Sequence, residues 1–229
     1  MRSNENTKTH DVILSFLYIF NVFAILMFFF GTLIGMYYYP GGYSFFGNFF
    51  SDLGMEYAWN NEPNTISRPI FHAAIYILSI ACIFNGFLWY SLKSSNKMDQ
   101  KQKNYSIVGA LFSPFSAIFL AGIAIFPKTA EDPMVSPHSI SSTIFFLMIL
   151  IPMLCFYEIT RIQSTTKKYT IPGYFYNVIL LIYILIPILF PVWVDLPGII
   201  FKPLTQKLLL YSLLSWTISF TIWWKNQIK

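Results

Sequence analysis

Six apolar runs, each about twenty residues or longer, constrain this chain more than any other feature. They cover Val12–Met36, Pro69–Leu92, Tyr105–Phe126, Pro137–Tyr157, Pro172–Val194 and Leu204–Trp224. A helix rises 1.5 Å per residue, so each run is long enough to cross a hydrocarbon core of ~30 Å. The runs show no strict alternation, which selects helices over the strands of a barrel. Composition agrees. Of 229 residues, 55% are hydrophobic and 11% charged, and the mean hydropathy is +0.55. A soluble domain carries about twice that charged share and needs a largely polar exterior. The expected fold is therefore all-α: one integral membrane domain over residues 1–229, built as a bundle of six transmembrane helices. Clusters of Trp and Tyr near the run ends, such as Trp89, Tyr90, Trp223 and Trp224, suit rings that favour the headgroup layer.

Lys and Arg set the orientation. With the N-terminus inside, Arg2, Lys8, Lys93, Lys97, Lys101, Lys103, Arg161, Lys167, Lys168, Lys225 and Lys229 fall on the inner side. Only Arg68, Lys128, Lys202 and Lys207 fall outside, so both termini are expected in the cytoplasm of a cell-membrane protein. The net charge of +5 is spread over these short loops, which argues against nucleic acid as a partner and leaves membrane lipids. Cys82 and Cys155 lie inside apolar runs without metal-type spacing and read as packing residues.

The first outer loop, about thirty residues from Tyr38 to Arg68, is too long for a plain connection. At 100° per residue, Phe45, Phe46, Phe49, Phe50 and Leu53 share one arc and Ser44, Asn48, Ser51 and Asp52 the other. This predicts a short helix lying in the outer interface, phenylalanines toward the lipid and Asp52 away from it. Glycines at 41, 42 and 54 bound it.

The polar residues that invite chemistry gather on the same outer side. They are Ser51 and Asp52, then Arg68 and His72 at the start of the second span. Lys128, Glu131 and Asp132 lie in the second outer loop, and His138 opens the fourth span. Ser136-Pro137 reads as a helix cap followed by Pro in the first turn, and Ser67 before Pro69 reads the same way. Helix starts favour anions, so a phosphate headgroup or carboxylate fits between them with Arg68 as partner. The bland alternatives are a solvated surface charge for Lys128 and a packing histidine for His72. Asn21, Asn85 and Asn177, inside the runs, suggest interhelical hydrogen bonds. The chain lacks HExxH, GxSxG, P-loop and dinucleotide motifs, and its histidines and carboxylates match no zinc spacing. No metal or cofactor is expected.

Phe49-Phe50-Ser51-Asp52-Leu53-Gly54 after the first span, Phe126-Pro127 closing the third and His138 opening the fourth resemble the Domain of Unknown Function 998 family. The resemblance runs from the first span into the fifth. It implies a six-helix membrane protein of archaeal or bacterial type, with a further acid after Phe-Pro that Glu131 or Asp132 supplies. Through the S-D-x-G signature the loop is also similar to the Frag1/DRAM/Sfk1 group. That group's links to lipid-anchor remodelling, phosphoinositide signalling and autophagy imply a lipid-related role by analogy.

Three functions follow as expectations. The first is binding or handling of a lipid headgroup at the outer face by Ser51, Asp52, Arg68, His72, Asp132 and His138. The second is a membrane-embedded hydrolase or transferase using the same outer His and Asp. The third is a non-enzymatic scaffold or regulator, in which the motif only packs the loop. Proximity of Asp52, His72 and His138 separates the first two from the third.

Overall fold

The computed structural model describes residues 2–129, 136–163, 169, 171–179 and 197–228. Its helices are α1 (Arg2–Tyr37), α2 (Ser67–Ser91), α3 (Gln100–Ile125), α4 (Pro137–Ile162), α5 (residues 171–179) and α6 (Pro197–Ile228). Short 3₁₀ turns occupy Phe50–Gly54 and Leu92–Ser94. Among the described residues there is no strand, only an isolated antiparallel bridge between Tyr57 and Pro63.

Among the described residues, four helices are long and apolar enough to cross a membrane: Val12–Tyr37 of α1, α2, α3 and α4. Their outward faces are apolar as well. Val12, Phe16, Ile19 and Phe23 form an exposed stripe on α1, and Leu111, Phe115 and Ile118 another on α3. Water does not tolerate that much contiguous apolar surface, and lipid does. The fifth expected span, Pro172–Val194, lies outside the described residues beyond residue 179. The sixth, Leu204–Trp224, falls within α6, whose first turns carry the polar run Thr205-Gln206-Lys207 and which is not among the four.

Sequential helices pack on one another, α1 on α2, α2 on α3 and α3 on α4, and α6 lies against α1. Small residues allow the close approach expected of helices in lipid. A Cβ at Gly86 of α2 would stand 2.6 Å from Cγ of Pro114 on α3, so glycine is what admits the proline ring. Asp99 and Gln102 form a reciprocal cap at the start of α3, at 2.8 and 3.0 Å. That cap starts α3 five residues before the apolar run does. Ser136 and Ser139 cap α4 in the same way.

Two expectations about the membrane-embedded residues are corrected. Trp89, Trp223 and Trp224 are buried in the bundle rather than placed in an interfacial belt. Trp89 stacks on Phe220 at 4.5 Å, and Trp224 Nε1 donates to the Leu88 carbonyl at 2.9 Å. The helices carry them inward because α6 buries its aromatic face against α2 and α4. Asn21 bonds its own helix, donating to the Leu17 carbonyl at 2.9 Å, and among the described residues it bonds no neighbouring helix.

Candidate functional site

The segment between α1 and α2 caps one end of the bundle, where α2 and α4 begin and α3 ends. Gly41 and Gly42, at φ +73° and +88°, turn the chain off α1. Residues 45–48 form a turn, and Phe50–Gly54 winds as a 3₁₀ helix. The expected amphipathic helix is thus replaced by one isolated turn, closed by Asn48 N–H on the Ser44 carbonyl, and a separate 3₁₀ turn, and its arc splits. Side chains three apart eclipse in a 3₁₀ turn, so Phe50 and Leu53 both enter the core, while Phe46 stays 57% exposed. Asp52 is also buried, at 1% exposure, and does not face open water.

Four donors surround its carboxylate. Lys128 Nζ meets Oδ1 at 2.7 Å. Oδ2 accepts from the Phe49 N–H at 2.8 Å, from Trp59 Nε1 at 3.1 Å and from Asn48 Nδ2 at 3.3 Å. This donor set is what a buried carboxylate requires. Lys128 is not a solvated loop charge. Its side chain is 19% exposed, and its ammonium sits 4.5 Å from the Phe49 ring centre and 5.2 Å from that of Trp59, within cation–π range. Ser51 is buried beside this pair.

The backbone of the same turn is clamped from α2 and from the loop just before it. Asn64 Nδ2 donates to the carbonyls of Leu53 and Met55 at 2.9 and 3.1 Å, and the Ser67 hydroxyl donates to Leu53 at 3.2 Å. His72 Nε2 lies 3.2 Å from the Gly54 carbonyl, which makes that nitrogen the protonated one. A Cβ at Gly54 would come within 2.9 Å of the Phe71 ring and 3.1 Å of His72 Nε2, so this place in the signature requires glycine. Ser67 therefore serves the turn and does not cap its helix: α2 starts after Ile66 with no side-chain cap.

Helix α6 holds the other side. Gln206 accepts from the Phe50 N–H at 2.8 Å. Lys207, wholly buried, bonds the Asn48 carbonyl and lies within 5.1–5.6 Å of the rings of Tyr43, Phe45 and Phe50. The sequence reading missed Trp59, Gln206 and Lys207. A lysine a few residues inside an apolar run was the available signal for the last.

The remaining expected residues take separate partners. Arg68 faces Glu56 at 3.7 Å. His138 Nδ1 lies 2.9 Å from the Phe126 carbonyl and so ties α4 to the end of α3, two residues from Lys128. Asp132, like Glu131, lies outside the described residues. Ser51, Asp52, His72 and Lys128 thus meet around one turn, and Arg68 stands apart at the start of α2. A family model described as a protein of unknown function, DUF998, matches residues 22–223. The chain belongs to the DUF998 family. No curated protein and no solved structure matches it.

In this DUF998 protein the signature residues hold structure. Both histidines bond backbone carbonyls, so neither forms the base–orienter pair with Asp52 that general-base chemistry uses. The Asp52 charge acts on its surroundings. Burial chiefly, then this carboxylate, pushes the Tyr39 hydroxyl up to about 12, with the Trp59 backbone pulling slightly the other way. The same two causes raise Tyr43. Two open clefts of ≈ 340 Å³ flank the cap. One is lined by Glu56, Tyr57, Pro63, Asn64, Thr65 and Arg68, the other by Tyr39, Gly41, Gly42, Asn48, Trp59 and Asn60.

Proposed function

We propose that this membrane-embedded protein crosses the bilayer six times, keeps both termini in the cytoplasm, and binds an anionic lipid headgroup at its outer face without catalysing a reaction. One observation carries the reading. Arg68, 35% exposed, stands in a cleft at the start of a helix whose first N–H groups have no side-chain cap. Helix starts and guanidinium groups both favour phosphate oxygens. The Glu56 contact is long and exposed, worth about 1 kcal/mol or less, so a headgroup can displace it. Neither histidine bonds Asp52, so Asp52, His72 and His138 form no shared site; this speaks against the hydrolase alternative and leaves the lipid reading on Arg68 alone. Lipid retention tests the reading. Purified from phosphatidylglycerol membranes into mild detergent, wild type is expected to carry that lipid and Arg68→Gln to lose it. Equal retention by both would refute Arg68 as the contact. Orientation is tested separately by cysteines introduced at Asn61 and Asn96, of which only the first should label from outside intact cells.

A second reading has its own support. The fourfold coordination of Asp52 and the clamped carbonyls of the turn are what a purely architectural cap requires. A scaffold of this kind would retain no lipid preferentially, and the same experiment distinguishes it.

A further inference from the structure

The second cleft has the volume of the first and a different chemistry. Its lining includes Tyr39, Gly41, Gly42, Asn48, Trp59 and Asn60, with no charged side chain. A volume of ≈ 340 Å³ lies at the small end of ligand pockets, suited to one compact molecule. The lining offers no charged side chain to an anion, and Lys128 already lies at the Trp59 ring and disfavours a second cation, so the fitting ligand is neutral and polar.

Trp59 supplies an aromatic wall. The residue is 50% exposed, yet its indole is fixed, because Nε1 donates to the buried Asp52 carboxylate at 3.1 Å. An oriented indole in a water-facing cleft offers an apolar face at little entropic cost. Polar groups surround it. Tyr39 lines the wall of the cleft, but its hydroxyl is sealed from solvent, so it contributes shape rather than a hydrogen bond. Asn60 uses Oδ1 to accept from the Glu62 N–H at 3.1 Å, and among the described residues its Nδ2 makes no hydrogen bond. That amide lies over Gly41, where a Cβ would stand 2.6 Å from Nδ2, so glycine leaves it room at the cleft wall. Asn48 uses one Nδ2 hydrogen on Asp52 and keeps the other.

A hexose ring has an apolar C–H face and a rim of hydroxyls that both donate and accept, which matches one flat indole edged by amides. We propose that this cleft is a carbohydrate site, binding a neutral hexose that stacks on Trp59 and bonds Asn48 and Asn60. It is independent of the Arg68 cleft. It also gives the signature acid a task, since Asp52 positions the stacking indole.

The test uses the full chain in phosphatidylcholine nanodiscs containing either a monoglucosyl diacylglycerol or the same diacylglycerol without sugar. Extraction into a sugar-free detergent followed by native mass spectrometry reads the retained lipid. Wild type should retain the glucosyl form over the diacylglycerol, and Trp59→Ala should cut that preference about tenfold, the loss of one stacked contact. Asn60→Tyr, which fills the cleft without touching Asp52, should abolish it even if Trp59→Ala folds poorly. Soluble methyl β-D-glucoside distinguishes the sources: displacement of the glucosyl lipid shows that a free sugar suffices, and failure to displace it shows that the lipid-borne form is required. Either supports the site if the two variants lose binding. Equal retention of both lipids, or an Asn60→Tyr variant that binds as wild type does, overturns the proposal. In the same nanodiscs with phosphatidylglycerol added, retention of phosphatidylglycerol without the glucosyl lipid, lost in Arg68→Gln, would overturn it while leaving the anionic reading intact.

Discussion

Asp52→Asn is the change whose cost is best defined by the geometry. The amide can keep its oxygen toward Phe49 N, Trp59 Nε1 and Asn48 Nδ2, and its NH₂ then faces Lys128 Nζ across 2.7 Å, donor against ammonium. Flipped, it keeps Lys128 and sets its NH₂ against three donors. The first arrangement loses less. Breaking one side of a buried pair costs about 3–5 kcal/mol. Lys128 retains 19% exposure and can swing toward water, which places the cost near the lower end, about 3 kcal/mol. For a chain of 229 residues that is a fall in Tm of about 6–12 °C, measured in detergent by tryptophan fluorescence or scanning calorimetry. Adding Lys128→Met removes the stranded charge and keeps the stem over Phe49 and Trp59, so the double variant should recover most of the loss. A single variant within about 1 °C of wild type, or a double variant that loses the sum of two large effects, would refute the argument.

Gly54→Ala should destabilise by about 1–3 kcal/mol, because the new methyl group meets the Phe71 ring and His72; thermal unfolding measures it. Gln206→Ala should leave the Phe50 N–H buried without an acceptor, and hydrogen exchange should find that amide less protected while α3 is unchanged. Alkaline stability gives a sign as well as a size. The folded chain keeps the Tyr39 proton up to about 12, and an unfolded tyrosine releases it near 10. Above pH 10 the unfolded state therefore binds fewer protons, so stability falls as pH rises through 10–12; Tyr39→Phe should flatten that fall.

Much of this was legible in the sequence, and the misses have physical causes. The apolar runs marked helices because a 20-residue run leaves lipid few alternatives, and α1 to α4 follow them closely. The Ser136 cap was legible because a cap is a local bond between neighbours. The turn at Phe50–Gly54 was not, because the wheel assumed 100° per residue and a 3₁₀ turn advances 120°. Either period puts Phe50 and Leu53 on one face; a wheel does not show that the bundle rather than lipid covers that face, nor that Asp52 meets buried donors. Lys128, Gln206 and Lys207 meet the cap from 76 to 159 positions away, and no local pattern reports such a partner. Ser67 shows the same limit: it has the look of a cap, and a carbonyl fourteen residues back claims its hydroxyl instead.

If Asp52 serves structure and Arg68 the headgroup, phosphatidylglycerol retention and Tm, measured together for Asp52→Asn/Lys128→Met and for Arg68→Gln, separate the two. The double variant is expected to keep the lipid and most of its stability, while Arg68→Gln keeps its Tm and loses the lipid. A stable double variant that has lost the lipid, beside an Arg68→Gln that retains it, would contradict that division and return Asp52 to the binding site.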